Sequence, residues 1–374
     1  MIWSAKLSAW LVTPFDDVQK GLQSDTFLCG GRINQAAQIL PPDIVQKNKV
    51  VFECLEAWMS FRDAPDHTRL RRPLSRTFTA RRVAALETQI ESIVNQLLDE
   101  WPMDRAFDPI STFTFRLPAM VICQLLGIPF EKLNDLQMWS RGIGNLSAAA
   151  VMTTEAADLA RISITEATTY LETLLQDKQR SPCDDLLSNL IELDGEDGAL
   201  SRPEIIALTI QLFYAGFETT EGLIGNALNV LLKNRDYYRQ LRDDRIFSEL
   251  VTEETLRFDN SIQRQTRIAS ESIELYGCNI EQGDYVFFLI GAANRDHRRF
   301  VEPDLYSPYR ADLGNVSFGY GAHFCLGAHL ARLETKIALQ IIAKRFPDLK
   351  QIGNPEYGEL LALRKPKKML LIAN

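Results

Sequence analysis

The segment Phe318-Gly-Tyr-Gly-Ala-His-Phe-Cys325-Leu-Gly327 carries the strongest chemical signal in the chain, and its cysteine is the reactive group it presents. Glycines at 319, 321 and 327 let the backbone turn tightly and come close to a flat ligand. The residues that follow, Ala328-His-Leu-Ala-Arg-Leu-Glu334, have a helical pattern, so Cys325 is expected just before a helix N-terminus. There the unpaired N–H groups and the positive end of the helix dipole favour a thiolate over a thiol. An anionic sulfur in a glycine-rich turn is a good metal ligand. A single such thiolate suits haem iron, to which it donates electron density that favours O–O cleavage. A lone cysteine is more often a small buried hydrophobe; the ten-residue context reverses that reading.

The segment resembles the cysteine loop of the cytochrome P-450 family, F-G-x-G-x-H/R-x-C-x-G, matching it at Phe318, Gly319, Gly321, His323, Cys325 and Gly327. The resemblance implies haem b, with iron on Cys325 and with Phe318, Gly319, His323 and Gly327 against the cofactor. Ala215-Gly-Phe-Glu-Thr-Thr220 is similar to the family's acid–alcohol motif. Ala215 and Gly216 would then also lie on the cofactor, Gly216 leaving room for oxygen. Thr219 would hydrogen-bond dioxygen and Glu218 would pass protons toward it. Taken alone, a mid-helix threonine usually bonds back to a carbonyl four residues earlier, and a glutamate usually meets solvent.

Glu254-Thr-Leu-Arg257 matches the family's E-x-x-R, and i,i+3 spacing lets the two charges pair on one helix face. An isolated pair of this kind is usually exposed and contributes roughly 0–1 kcal/mol; its position in the chain gives it weight. The family draws a third charge from a later P-acid-R/H-aromatic segment, where this chain has Pro303-Asp-Leu305-Tyr306. Leu305 supplies no charge, and Arg310 is the candidate substitute. Haem propionates need cations or other donors. The matched positions are His67 and Arg71, one helical turn apart, with Arg267 and His323. Ala292-Ala-Asn-Arg-Asp296 is also similar to the family, with His297 where proline is usual.

Positioning these groups falls to a mainly helical chain with small β-sheets, the fold of the P-450 family. The longest helix expected runs from a capping box at Ser201-Arg-Pro-Glu204 to about Asn234. It is apolar on nearly every side and should pass through the middle of the molecule. An amphipathic helix is expected over 81–101, with weaker patterns over 112–126, 131–141, 155–178 and 246–258. Strands are expected at 274–276 and 285–290. The walls facing the haem are expected from about 40–62, 140–155, 208–217, 258–265 and 360–364. Those stretches mix Val51, Phe52, Leu212, Phe213 and Ile262 with Asn145, Ser147 and Gln263, which suits a mostly apolar ligand with a few oriented polar groups.

With 46% hydrophobic and 24% charged residues in 374, the composition is globular, and one domain over 1–374 is expected. A formal charge of −8 argues against a nucleic-acid partner. The six cysteines lack CxxC spacing, so neither a zinc ribbon nor a disulfide framework is indicated, and a reducing cytoplasm fits. The apolar run Leu7–Phe15 is too short to span a bilayer. Relative to the family the N-terminus is short, consistent with a missing first helix or a misassigned start.

The implied reaction is insertion of one oxygen atom from O2 into a small molecule, with tailoring of secondary metabolites as the family-based expectation. No Rossmann or flavin segment occurs. Electrons are therefore expected from a separate ferredoxin and its NAD(P)H-dependent reductase. The strip from His67 to Leu86 holds Arg69, Arg71, Arg72, Arg76, Arg81 and Arg82 and no acid, and could steer an acidic donor. Peroxide-driven chemistry, oxidative coupling and desaturation on the same iron remain open, as does a haem-binding sensor without turnover. A zinc hydrolase is excluded by the four scattered histidines and the lack of HExxH. A Cys–His nucleophile remains only as a remote rival.

Overall fold

In the computed structural model of the chain, all residues are described except 39, 148–152, 193–199, 276, 359 and 374, together with the side chains of 145–147. Its axis is the helix Arg202–Lys233, 32 residues long. Ser201 starts it, with Glu204 Oε2 accepting the Ser201 backbone N–H at 2.8 Å, as the capping box predicts. From Ile205 to Leu232 most of its side chains are buried, because other helices cover it on several sides. These are Arg116–Leu126, Leu133–Ser147, Thr154–Arg180, Arg245–Phe258 and Ala328–Arg345. An all-round apolar helix is stable in water only in such an enclosure.

The helix expected over 81–101 forms as two, Ala80–Ala84 and Glu87–Asp99. Between them Leu86 N–H bonds to Val83 O at 3.0 Å, a tight turn that keeps the apolar face continuous. Val83, Ile90, Ile93, Val94, Leu97 and Leu98 all remain buried, which is why the periodicity reads straight through the break. The pattern over 112–126 divides similarly, into a π-turn at Ile110–Thr114 and a helix at Arg116–Leu126. The pattern over 131–141 forms a helix that continues to Ser147.

Strand Tyr285–Phe288 is shorter than the expected 285–290, because the chain turns into the helical segment Ile290–Ala293. The other expected strand forms as Ile273–Leu275, with Tyr276 outside the described residues. The largest sheet has five strands in the order Ile2–Ser4, Ala9–Val12, Tyr285–Phe288, Gln265–Ala269, Phe27–Leu28. Its register sets Arg267 opposite Val286. A second sheet joins Ala106–Phe107, Pro366–Ile372 and Lys350–Tyr357. Ahead of it, the chain runs past the middle of the central helix at 361–366, where Arg364 N–H donates to Ser261 O at 2.7 Å.

Candidate active site

A cavity of about 410 Å³ lies between the central helix and the glycine-rich loop. On one wall are Ala215, Gly216, Thr219, Thr220 and Leu223 of the helix; facing them are Phe318, His323, Phe324, Cys325, Leu326 and Gly327. The loop reaches this shape through two left-handed glycines, Gly319 and Gly321, with φ of 72° and 71°. Gly327 lines the cavity without a left-handed backbone, its φ being −85°. Cys325 N–H bonds to Phe318 O at 2.8 Å, and the helix Ala328–Arg345 starts directly after Gly327.

Cys325 gives surface to the cavity while protein packs densely around it. Burial pushes its thiol up, against the opposing pull of the Gly327 N–H, Arg71 and Arg332. The helix terminus expected to favour thiolate is therefore present, but burial outweighs it in the protein alone. A metal cation would shift that balance, because a coordinating thiol is deprotonated.

The loop is held by residues behind it. Glu254 and Arg257 are both fully buried and pair through two 2.8 Å bonds. Arg257 also donates to the carbonyls of Asn294 (3.0 Å), Pro303 (2.8 Å) and Leu305 (3.2 Å). The third charge comes from Arg310, whose Nε lies 3.6 Å from Glu254 Oε2. Leu305 turns its side chain outward and contributes its carbonyl, which accepts from Arg310 at 2.7 Å. Asn294, fully buried, was not singled out by sequence beyond its motif. Its Oδ1 accepts the Val316 N–H at 2.9 Å and its Nδ2 donates to Ser317 Oγ at 2.8 Å, fixing the start of the loop.

At the rim, His67, Arg71, Arg267 and His323 all line the cavity, so the four dispersed positions do converge. The His67 and His323 rings lie 4.0 Å apart between centroids, and His67 Nε2 is buried without a hydrogen-bond partner. Burial, with the nearby His323 and Arg71, lowers His67 to about 4. Burial also pulls His323 down, but bonding to Asp63 and Cys29 outweighs it and the net direction is up. Sequence reasoning missed Cys29, Arg32 and Asp63. Asp63 accepts the N–H groups of Cys29 and Gly30 at 2.9 and 2.7 Å and lies 3.8 Å from His323. Arg32 donates to the carbonyls of Cys29, Thr266 and Ser60. None of the three sits in a segment with a distinctive pattern.

The acid–alcohol pair divides. Thr219 lines the cavity, with its hydroxyl donating to Ala215 O at 3.0 Å. The Glu218 carboxylate instead accepts from Lys365 Nζ at 2.8 Å, and Glu218 is not among the lining residues. Gly216 lets Ile122 approach, since a Cβ there would lie 3.1 Å from Ile122 Cγ1.

Further walls of the cavity come from Trp58–Phe61, Gln211, Leu212, Tyr214, Asn260–Ile262 and Ala362. Val51 and Phe52 are buried in the core instead. Phe213 falls off the lining stripe of the helix and packs toward Trp139, 6.4 Å between ring centroids. Gln263 turns back to donate to Asn260 O at 2.6 Å. The side chains of Asn145 and Ser147 lie outside the described residues.

The family model for "Cytochrome P450" matches residues 46–372. The chain belongs to the cytochrome P-450 family. It is 37% identical over 352 residues to cytochrome P450 107B1 of Saccharopolyspora erythraea, covering 94% of this chain and 85% of that protein. It is 35% identical over 344 residues to 6-deoxyerythronolide B hydroxylase of the same organism, covering 91% and 83%. The fold matches P450BioI in complex with an acyl carrier protein ligated to hexadec-9Z-enoic acid, with a TM-score of 0.89 and 30% identity. That match covers 97% of this chain and 92% of the other.

As a P-450 the chain is an oxidoreductase of the monooxygenase type, using O2, a small-molecule substrate and redox partners. The family is haem-thiolate, its iron held by a cysteine. The residues present fit that group: Cys325 faces the central helix across the cavity, while the other lining cysteine, Cys29, is buried beside His323 at the cationic edge, where His67 Nε2 is an unpartnered buried polar atom. Among the described residues, no helix is long and apolar enough to cross a membrane.

Proposed function

We propose that this P-450, folded as one domain over 1–374, oxygenates a mostly apolar small molecule in the tailoring of a secondary metabolite. The observation carrying the reading is the cavity with Cys325 on one wall and Thr219 on the other. Cys325 would hold the iron, with Phe318, Gly327, Ala215 and Gly216 against the faces of haem b and His67, Arg71, Arg267 and His323 holding its propionates, while Gly319, off the cavity lining and against Gln265, shapes the loop. When bound, haem supplies oxygen activation. Thr219 presents a hydroxyl to the oxygen side of the cavity, and Glu218, one residue away, supplies protons to it. Trp58, Phe61, Leu212 and Ile262 exclude water and hold the apolar part of the substrate, while Gln211 and Asn260 orient its polar groups.

Electrons would come from a ferredoxin served by an NAD(P)H-dependent reductase, in the cytoplasm. Relatives support the secondary-metabolite setting, since one is named as the hydroxylase of 6-deoxyerythronolide B. One observation favours a second reading, peroxide-driven chemistry: the Glu218 carboxylate faces Lys365, away from the cavity lining.

The test is the absorption spectrum of the reduced, carbon-monoxide-bound protein. A thiolate-type Soret band is expected, and Cys325→Ala should lose it; a variant with unaltered haem ligation would refute the assignment. Comparing turnover driven by donor proteins and O2 with turnover driven by peroxide separates the two readings.

A further inference from the structure

Near the middle of the central helix, two buried acids and a half-buried lysine share a contact that none of the family motifs contains. Lys365 Nζ donates to Glu218 Oε2 at 2.8 Å and to Glu221 Oε2 at 2.6 Å. The two acids stand at i and i+3, so both carboxylates reach the same side of the helix. The Glu218 and Glu221 side chains are 9% and 6% exposed, whereas the Lys365 side chain, at 17%, is the most open to solvent of the three.

The contact is built into the fold. Asn226 Nδ2 donates to Arg364 O at 3.1 Å and Arg364 Nε pairs with Asp259 at 2.6 Å, which pins the strand-like segment beside the helix. Gly222 permits the approach: a Cβ there would come within 2.9 Å of Lys365 Cβ and 2.7 Å of Ser261 Oγ. Two carboxyl groups around one ammonium leave excess negative charge in a desolvated space, which drives one of them to hold a proton. Burial pushes Glu221 up, and Glu218 adds to that, while Lys365 and Arg141 of the helix Leu133–Ser147 oppose it. Burial works against the charge on Lys365, but the two acids outweigh it.

We propose that Lys365 and Glu221 gate Glu218: Lys365 holds the Glu218 carboxylate off the cavity, and Glu221 keeps Lys365 paired whenever Glu218 swings toward Thr219. The inference rests on the reading of Glu218 as the proton carrier. A buried ammonium left without a partner is costly, so a single Lys–Glu pair would lock Glu218 in place. The second carboxylate removes that cost and makes release reversible. Protons balance around the cycle. At rest the shared proton is on Glu221; it passes through Lys365 Nζ, across the 2.6 and 2.8 Å contacts, to Glu218, which carries it to the Thr219 side and returns as carboxylate while Lys365 gives a proton back to Glu221. Solvent at the partly open Nζ then restores the ammonium, and no oxidant or reductant enters.

The test uses the haem-loaded protein with a plant-type ferredoxin, its reductase and NADPH. O2 consumption without added substrate is measured, together with the hydrogen peroxide formed per O2. Glu221→Gln should tighten the lock: O2 consumption slows about tenfold, a smaller loss than removal of a proton donor itself causes. Its solvent deuterium isotope effect rises and the peroxide share grows. Lys365→Met should release Glu218, so the isotope effect falls below that of the wild type. Glu221→Asp, which keeps an ionisable carboxyl, should restore most of the rate. On the apoprotein, the infrared stretch of a buried protonated carboxyl should be lost in Glu221→Gln, independent of any turnover.

Wild-type isotope effects and peroxide shares in both Glu221→Gln and Lys365→Met would overturn the gate. Glu218→Gln tells the two failures apart. If it abolishes normal proton delivery while the other variants are silent, the gate alone is wrong. If it is silent as well, the reading of Glu218 is wrong.

Discussion

At the scale of the residue, the site shows how far a side chain's type predicts its state. His67 is an ordinary histidine in sequence, yet burial beside His323 and Arg71 lowers it to about 4. The unfolded chain therefore binds the His67 proton between about pH 6.5 and pH 4 while the folded apoprotein does not. Folding stability from this group is present above the unfolded value and is lost as pH falls through that window. We expect the apoprotein to lose denaturant resistance on acidification from pH 6.5 to 4, and His67→Phe to lose less. Equal slopes for the two in urea titrations at several pH values would contradict this. The contrast between Leu305 and Arg310 makes the same point about legibility. Sequence placed an apolar residue where a charge was due, because motif spacing counts positions along the chain. The fold counts distance, and Arg310, five residues later, brings its guanidinium to 3.6 Å from Glu254. Cys325 was legible because three constraints (glycine turn, helix start, thiolate ligand) fall within ten contiguous residues; Cys29, Arg32 and Asp63 were not, because backbone carbonyls and amides, invisible to pattern, make their contacts.

At the scale of the element, long helices were readable and their interruptions were not. The central helix appears within a residue of its expected ends because a capping box and continuous apolar faces are local signals. The break between Ala84 and Glu87 leaves no signal, since a tight turn preserves the buried face. The cysteine loop is likewise readable in composition but not in support. Its anchor is Asn294, which holds Val316 and Ser317, while Ser317 Oγ donates to Leu256 O at 2.6 Å on the helix that carries Glu254 and Arg257. Asn294→Ala would leave the buried Val316 N–H without its acceptor. We expect it to destabilise the protein by about 2–4 kcal/mol, one or two buried groups left unpaired. Haem transfer to apomyoglobin should also be faster, because the loop that presents Cys325 loses its tether. A variant with wild-type stability and haem release would show that the loop is held by the Glu254–Arg257 pair without Asn294.

At the scale of the whole molecule, charge distribution decides what meets the face behind Cys325. The chain carries −8 overall, yet the strip from His67 to Leu86 is basic. The structure divides that strip. Arg69 is taken up by Glu204 and Asp66, and Arg71 turns inward to Phe324 O at 2.6 Å. Arg72, Arg76, Arg81 and Arg82 stay exposed. The last two lie on the helix Ala80–Ala84, which packs against the cysteine helix Ala328–Arg345. Beside them is a cleft of about 310 Å³ whose own cations, Arg332 and Lys336, are already paired with Glu253 and Glu249. The outward field of this face therefore comes from the four arginines, and an acidic electron donor would be steered to them. Reversing two of them, Arg72→Glu with Arg76→Glu, should slow reduction by a ferredoxin about tenfold at low salt, through the association rate. The difference should shrink as salt shortens the range of the charges. Stopped-flow reduction at several ionic strengths checks this, with peroxide-driven turnover as the control that needs no donor. A loss that persists at high salt would mean that these arginines serve the fold, since screened steering cannot account for it.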